Sequence, residues 1–163
     1  MDIEQAKLFQ CLEGLSGTWV GKGIGEFPTI TTFSYREELT FTSNSSKAYL
    51  HYEQRTWRRD EIGNEVASHW ETGFWRLLPT QEVELLCAQS GGRVEIARGS
   101  LTMTPDGFNL DLCSSLVAND SRVEGTLRKF ILGGDILRYS MYMQTTAVPA
   151  LTLHVQAQLE QSR

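Results

Sequence analysis

The chain has 163 residues, of which 40% are hydrophobic and 21% charged, a composition typical of one folded globular domain. Its net charge of −5 argues against nucleic acid or an anionic membrane as a partner. No apolar run approaches the roughly 20 residues that span a bilayer. The acidic start MDIEQAKLFQCLEGL lacks the basic-then-apolar pattern of a secretion signal.

The three cysteines are Cys11, Cys87 and Cys113, which are far apart in the chain and odd in number. They lack the C-x-x-C spacing that is typical of thiolate zinc sites. Cys87 stands among apolar residues, where a small buried side chain is expected. This cysteine usage favours a reducing, cytoplasmic location.

Only the N-terminal segment is predicted to be helical. Between Glu4 and Leu15, apolar residues recur at a mixture of three- and four-residue spacings. Gly14 and Gly17 follow and can end the helix.

The rest of the chain is predicted to form strands. Phe33, Tyr35, Leu39 and Phe41 share one parity with polar residues between them, which is the period of a half-buried strand. Further strands are predicted at 48–57, 69–78, 82–89, 92–97, 100–104, 107–113, 123–132, 135–145 and 151–160. Short turns rich in Gly, Pro, Asn, Asp and Ser separate them, so neighbouring strands should be antiparallel.

These elements predict an all-β fold of about ten strands, formed by residues 1–163 as a single domain. A barrel and a sandwich both fit short antiparallel hairpins. A terminal helix followed by an up-and-down meander favours the barrel, with the helix capping one end.

The stretch GTWVGKGIGEFPTI, which starts at Gly17, carries several glycines and raises the question of a phosphate loop. A phosphate loop needs a helix after its glycines, whereas Phe27-Pro28-Thr29 and an alternating strand follow here. The glycines are therefore assigned to a first barrel strand, where glycine marks a bulge, a bend or a close backbone approach. Trp19 is expected to plug one end of the barrel.

The same stretch resembles a known signature. Gly17-Thr18-Trp19-Val20-Gly21-Lys22-Gly23 is similar to the G-x-W-x-G-x-G motif of the nitrobindin family. The resemblance extends from about residue 12 to residue 160 and continues through Phe27-Pro28-Thr29-Ile30, Phe33-x-Tyr35-x-Glu37, Leu50-x-Tyr52, His69-x-Glu71-x-Gly73-Phe74-Trp75-Arg76, Val94-Glu95-Ile96, Arg128-Lys129-Phe130 and His154-x-x-Ala157-x-Leu159.

The resemblance implies a ten-stranded antiparallel β-barrel that holds ferric haem b near its mouth. It implies binding of nitric oxide and of peroxynitrite, with isomerisation of peroxynitrite to nitrate. By position in the motifs, His154 matches the axial iron ligand of the family. His69 matches a strand that forms the distal wall of the pocket, and Thr29 matches a segment that contacts the haem.

The residues themselves leave the direction of the His154 side chain open. Strict alternation groups it apart from Leu151, Leu153 and Val155, which would turn the imidazole towards solvent. Two other arrangements are an imidazole directed into an open barrel mouth and a bulge near Pro149 that resets the register. For His69 the simpler interpretation is a hydrogen bond to nearby Glu71.

A second function remains open, in which the barrel carries a fatty acid or another apolar molecule without catalysis. Such barrels place arginine and tyrosine inside to bind a carboxylate, and Arg128 and Tyr139 are the candidates. A third is a barrel that has lost its haem. A homodimer is an assembly that the sequence leaves undecided.

Overall fold

The computed structural model describes residues 2–162, with the backbone alone at residue 45, and it begins with helix α1 (Ile3–Glu13). Asp2 caps the helix: its side chain accepts a hydrogen bond from the Gln5 amide, and the Gln5 side chain accepts one from the Asp2 amide. The helix ends two residues earlier than predicted, because the Gly14 amide turns back onto the carbonyl oxygen of Cys11.

Ten strands follow the helix. They are β1 (Gly17–Phe27), β2 (Ile30–Asn44), β3 (Tyr49–Arg59), β4 (Glu65–Leu77), β5 (Glu82–Gln89), β6 (Val94–Thr104), β7 (Gly107–Ala118), β8 (Val123–Gly133), β9 (Ile136–Thr145) and β10 (Thr152–Gln161). Each pairs antiparallel with its neighbours in the chain, and β1 pairs with β10 to close the barrel. The predicted ten-stranded up-and-down barrel is confirmed.

The prediction of two strands at 92–97 and 100–104 is wrong, because these residues form the single strand β6. Gly99 lies between the two predicted segments. A Cβ atom at this position would lie 1.6 Å from the carbonyl oxygen of Asp111, so β7 passes too close for any side chain. Glycine here permits a close approach of two strands and does not end one.

Helix α1 closes the end of the barrel where the β4–β5 and β6–β7 turns lie. The Gln5 side chain donates to the carbonyl oxygen of Pro79, and the Cys11 thiol reaches that of Gly107. Beneath the helix Trp19 is fully buried, and its indole N–H donates to the carbonyl oxygen of Leu15 at 2.7 Å. The predicted plug and helical cap therefore lie together at one end of the barrel.

The glycines of β1 let β1 and β10 approach each other. A Cβ atom at Gly21 would lie 2.1 Å from the carbonyl oxygen of Gln158, and one at Gly23 would lie 2.7 Å from that of Gln156. Barrel closure at this seam therefore requires residues without side chains, as predicted for this strand. Among residues 2–162, no helix is long and apolar enough to cross a membrane.

Candidate functional site

The barrel contains a cavity of about 370 Å³ at the end opposite α1. Its inner part has aromatic and aliphatic walls, formed by Leu39, Phe41, Trp75 and Phe130. Towards the mouth the walls include Phe33, Met141, His154, Val155, His69, Arg93 and Arg122. Charged side chains also line its inner part, among them Glu71 and Arg128. The cavity thus combines apolar walls with a small number of polar groups, the form that sites for small molecules and cofactors usually take.

A bulge in β10 places His154 in the cavity. Leu153 pairs with Tyr142 and Val155 pairs with Met141, which are consecutive in β9, so His154 is an extra residue in the ladder. An extra residue resets the alternation of a strand, and His154 and Val155 both line the cavity as a result. The sequence placed a possible bulge near Pro149, but the bulge lies at His154 itself. It directs the imidazole towards the barrel mouth, so the solvent-facing arrangement is wrong.

The surroundings of His154 keep its imidazole neutral and fix its tautomer. Its Nδ1 lies 3.4 Å from the carbonyl oxygen of Glu26, which can only accept, so the proton of the neutral ring belongs on Nδ1. Burial lowers the pKa of His154, and the positive charge of Arg93 contributes to the lowering. The ring also packs edge-on against Phe27, with a centroid separation of 5.4 Å. Nε2 is therefore left with a free lone pair, the form in which histidine binds metals.

His69 also lines the cavity, from strand β4. Its Nε2 lies 3.1 Å from Oε2 of Glu71, which confirms the simpler interpretation of this residue as a partner of Glu71. With one ring nitrogen in that contact, His69 is part of the polar wall that includes the buried carboxylate Glu71.

Thr29 is not among the residues that line the cavity. It is exposed in the β1–β2 turn, two residues after Phe27, whose ring packs on His154. Gly17, Trp19, Gly21 and Gly23 belong to the first strand, and none of the four lines the cavity. The structure therefore brings His154 and His69 to one cavity, and the haem contact of Thr29 stays a prediction.

A buried ion network lies deeper in the barrel. The Arg128 guanidinium contacts Oε1 of Glu71 at 2.7 Å and Oε1 of Glu95 at 3.3 Å, and all three residues are almost fully buried. Tyr52 donates to Glu71 and Thr126 donates to Glu95. Burial alone would raise the pKa of Glu71, but Arg128 and His69 hold it well below its usual range.

Another buried carboxylate, Glu37, forms no ion pair with any of the described residues. Its two oxygens accept hydrogen bonds from Gln54 at 2.7 Å and from Tyr139 at 2.6 Å, and the Tyr139 hydroxyl also contacts that of Tyr35 at 2.9 Å. Burial raises the pKa of Glu37 to about 7, because these two hydrogen bonds offset only part of the desolvation.

This burial predicts a pH-dependent effect of Glu37→Gln. The unfolded chain releases the Glu37 proton near pH 4.5, whereas the folded protein keeps it up to about pH 7. The free energy of unfolding of the wild type therefore falls as pH rises through that window. The Glu37→Gln variant has no carboxyl group at this position and does not lose this stability. In urea unfolding, the stability of the variant relative to wild type should increase by roughly 2–3 kcal/mol between pH 4 and pH 8. Glu38→Gln, on the outer face of the same strand, is the control and should show no such trend.

Sequence reasoning did not find the partners of these buried groups. Arg128 and Tyr139 were noted only as candidates for a ligand carboxylate, and Glu71 only as a neighbour of His69. The missed signal is the inward parity of Glu37 and Glu71, because a charged residue on the apolar face of a barrel strand needs an interior partner.

A family model described as the THAP4-like, heme-binding beta-barrel domain matches residues 9–161. The chain belongs to this family. The membership confirms the resemblance to nitrobindins and confirms haem as the predicted cofactor.

Individual relatives match over most of their length. A protein named peroxynitrite isomerase Rv2717c, from Arabidopsis thaliana, is 40% identical over 149 residues, which cover 91% of this chain and 86% of the relative. The peroxynitrite isomerase of Nocardia farcinica is 36% identical over 151 residues, covering 91% of this chain and 87% of the relative. The crystal structure of Rv2717c from M. tuberculosis is 33% identical, with a TM-score of 0.84 over 96% of this chain and 98% of that one.

The residues of the cavity fit a haem. A haem bound by one histidine needs a neutral imidazole with a free Nε2, an apolar wall for the macrocycle and access for a further ligand. His154 supplies the first, through the bulge and the contact of Nδ1 with Glu26. Phe33, Met141 and Val155 supply apolar wall beside it.

Proposed function

We propose that this protein binds ferric haem b through Nε2 of His154 and uses it to isomerise peroxynitrite to nitrate. The observation that carries the proposal is the β10 bulge, which directs a neutral imidazole into the cavity instead of towards solvent. The relatives named peroxynitrite isomerase support the choice of reaction. Nitric oxide, a small neutral ligand of haem iron, is the second ligand that we propose.

The chemistry that haem supplies when bound is cleavage of the O–O bond of peroxynitrite and recombination of the fragments as nitrate. The chain contributes binding and confinement. His154 would provide one ligand, and the other histidine that lines the cavity among the described residues, His69, has its Nε2 in contact with Glu71. The cavity beside His154 would then leave room for a small ligand at the haem, and the apolar wall around Met141 and Val155 would limit the escape of fragments into water.

The carrier alternative is not favoured by the interior. Arg128 donates to Glu71 and Glu95, and Tyr139 donates to Glu37, so the two candidate partners of a fatty-acid carboxylate are already committed to glutamates. A ligand carboxylate placed there would lie next to buried negative charge, which costs binding energy.

Two measurements on the purified protein test the proposal. Addition of hemin should give a Soret band that saturates at one haem per chain. In stopped-flow experiments the haem-loaded protein should accelerate peroxynitrite decay with nitrate as the product, and it should exceed both apo-protein and the same concentration of free hemin. A saturating Soret band without acceleration would leave a haem-binding protein and refute the isomerase.

We further propose that the chain acts as one domain in the cytoplasm. Helix α1 and the barrel strands share one hydrophobic core, and Cys11, Cys87 and Cys113 are all free thiols. A homodimer stays a prediction, which sedimentation of the purified protein at several concentrations would test.

A further inference from the structure

Arg93 lies at the mouth of the cavity, and its guanidinium is only weakly paired with the residues around it. Its nearest anion is Asp120, with an Nη1 to Oδ2 distance of 3.9 Å. That carboxylate is already bound by Arg122, through Nε at 2.9 Å and Nη2 at 3.1 Å. The Nε atom of Arg93 is buried and has no hydrogen-bond partner among the described residues. A buried guanidinium N–H without an acceptor indicates a missing partner.

Backbone contacts hold Arg93 in this position. The Gln89 amide donates to the carbonyl oxygen of Arg93 at 2.9 Å and closes the β5–β6 turn. The Asn119 side chain donates to the carbonyl oxygen of Gly92 at 3.3 Å and ties this turn to the β7–β8 turn. Arg93 therefore sits on a braced rim, where a charged side chain loses little freedom when it binds a ligand.

A further backbone hydrogen bond connects these turns to the segment that leads to His154. The Thr146 amide, in the β9–β10 connection that leads to His154, donates to the carbonyl oxygen of Arg122 at 2.9 Å. Arg93, Arg122 and His154 all line the one cavity. The Arg122 side chain is 82% exposed and paired with Asp120, whereas that of Arg93 is only 14% exposed. Arg93 is thus the better placed of the two cations for an acceptor inside the mouth.

We propose that Arg93 binds a propionate carboxylate of the haem held by His154. The inference rests on the proposed haem binding and adds a residue that sets the orientation of the porphyrin in the mouth. A planar guanidinium with free N–H groups matches a carboxylate in geometry and charge, and partial burial strengthens the contact. A free anionic substrate could use the same chemistry, and the two sources are separable by experiment.

The test compares hemin with hemin dimethyl ester, in which both propionates are uncharged. Titrations followed by the Soret band would use wild type, Arg93→Gln and the control Arg138→Gln. Arg138 is exposed on the outer wall and contacts only Gln158 among the hydrogen bonds of the described residues. We expect Arg93→Gln to weaken hemin binding about tenfold, to leave ester binding within about twofold of wild type, and to reduce the salt dependence of hemin affinity. Arg138→Gln should match wild type with both porphyrins.

Each other result overturns the inference. An equal loss of affinity for hemin and for the ester in Arg93→Gln would mean that Arg93 shapes the cavity and does not bind a carboxylate. Unchanged hemin affinity together with slower peroxynitrite decay would assign Arg93 to the free anion. Failure of the wild type to bind hemin would refute the proposed function and this inference with it, whereas normal hemin binding by Arg93→Gln would refute this inference alone.

Discussion

Replacing His154 with alanine is expected to abolish the Soret band that hemin gives with the wild-type protein. His154 is the imidazole in the cavity whose Nδ1 faces a backbone carbonyl and whose Nε2 keeps its lone pair. Loss of outer partners of a metal ligand typically costs about 10–100-fold in affinity, so loss of the ligand itself should cost at least about 100-fold. Hemin titration followed by absorbance measures the effect.

Two matched variants separate ligation from loss of structure. His51→Ala removes an imidazole that lies outside the cavity, where Nε2 contacts Thr72 and the ring packs near Phe74. It should leave the Soret band unchanged. Adding free imidazole to His154→Ala should restore part of the band, because the space left in the cavity admits the missing ligand. A His154→Ala protein that binds hemin as tightly as wild type would disprove the assignment.

Replacing Arg128 with methionine is expected to lower the free energy of unfolding by about 3–5 kcal/mol. The guanidinium is buried and neutralises Glu71 and Glu95, which are almost fully buried themselves. Its removal leaves Glu95 without a cation and Glu71 with only the His69 imidazole beside it, and each carboxylate must either stay charged at a desolvation cost or take up a proton. Urea unfolding at pH 8, followed by tryptophan fluorescence, measures the loss.

The pH dependence of this loss identifies its cause. In wild type the pKa of Glu71 is held below its usual range, so the stability that its charge contributes is present above the unfolded pKa of 4.5 and is lost as pH falls. In Arg128→Met the carboxylates lack the cation, so the variant should be most destabilised above about pH 5 and closer to wild type at pH 4. Equal destabilisation at both pH values would indicate a packing defect instead.

A neighbouring ion pair on the surface provides the control. Lys129 follows Arg128 in β8 and contacts Asp111 at 2.6 Å, but the two side chains are 41% and 54% exposed. Water screens such a pair, so Lys129→Met should cost less than about 1 kcal/mol. The triple variant Arg128→Met, Glu71→Gln and Glu95→Gln removes all three charges and should recover much of the stability lost in Arg128→Met.

The local pattern of the chain was enough to predict the class of fold. Alternation such as that of Phe33, Tyr35, Leu39 and Phe41 survives in the folded protein because each barrel strand has one face inside and one outside. Strand β6, which the sequence predicted as two strands, contains Gly99. The same residue type ends strands and permits close strand contacts, and only the neighbouring strand distinguishes the two.

The sequence by itself determined the order of the strands, the helical cap, the glycine-rich first strand and the two candidate histidines, His69 and His154. Only the tertiary structure decided which way His154 points. A bulge adds one residue to a strand, and the alternation of apolar and polar residues in the sequence does not reveal that extra residue. It also decided the partners of Arg128 and the position of Arg93, since these contacts join strands and turns far apart in the chain. The alternation of residues along a strand indicates which face each residue occupies. The contacts that a side chain makes with other strands depend on strand register and on how the barrel closes.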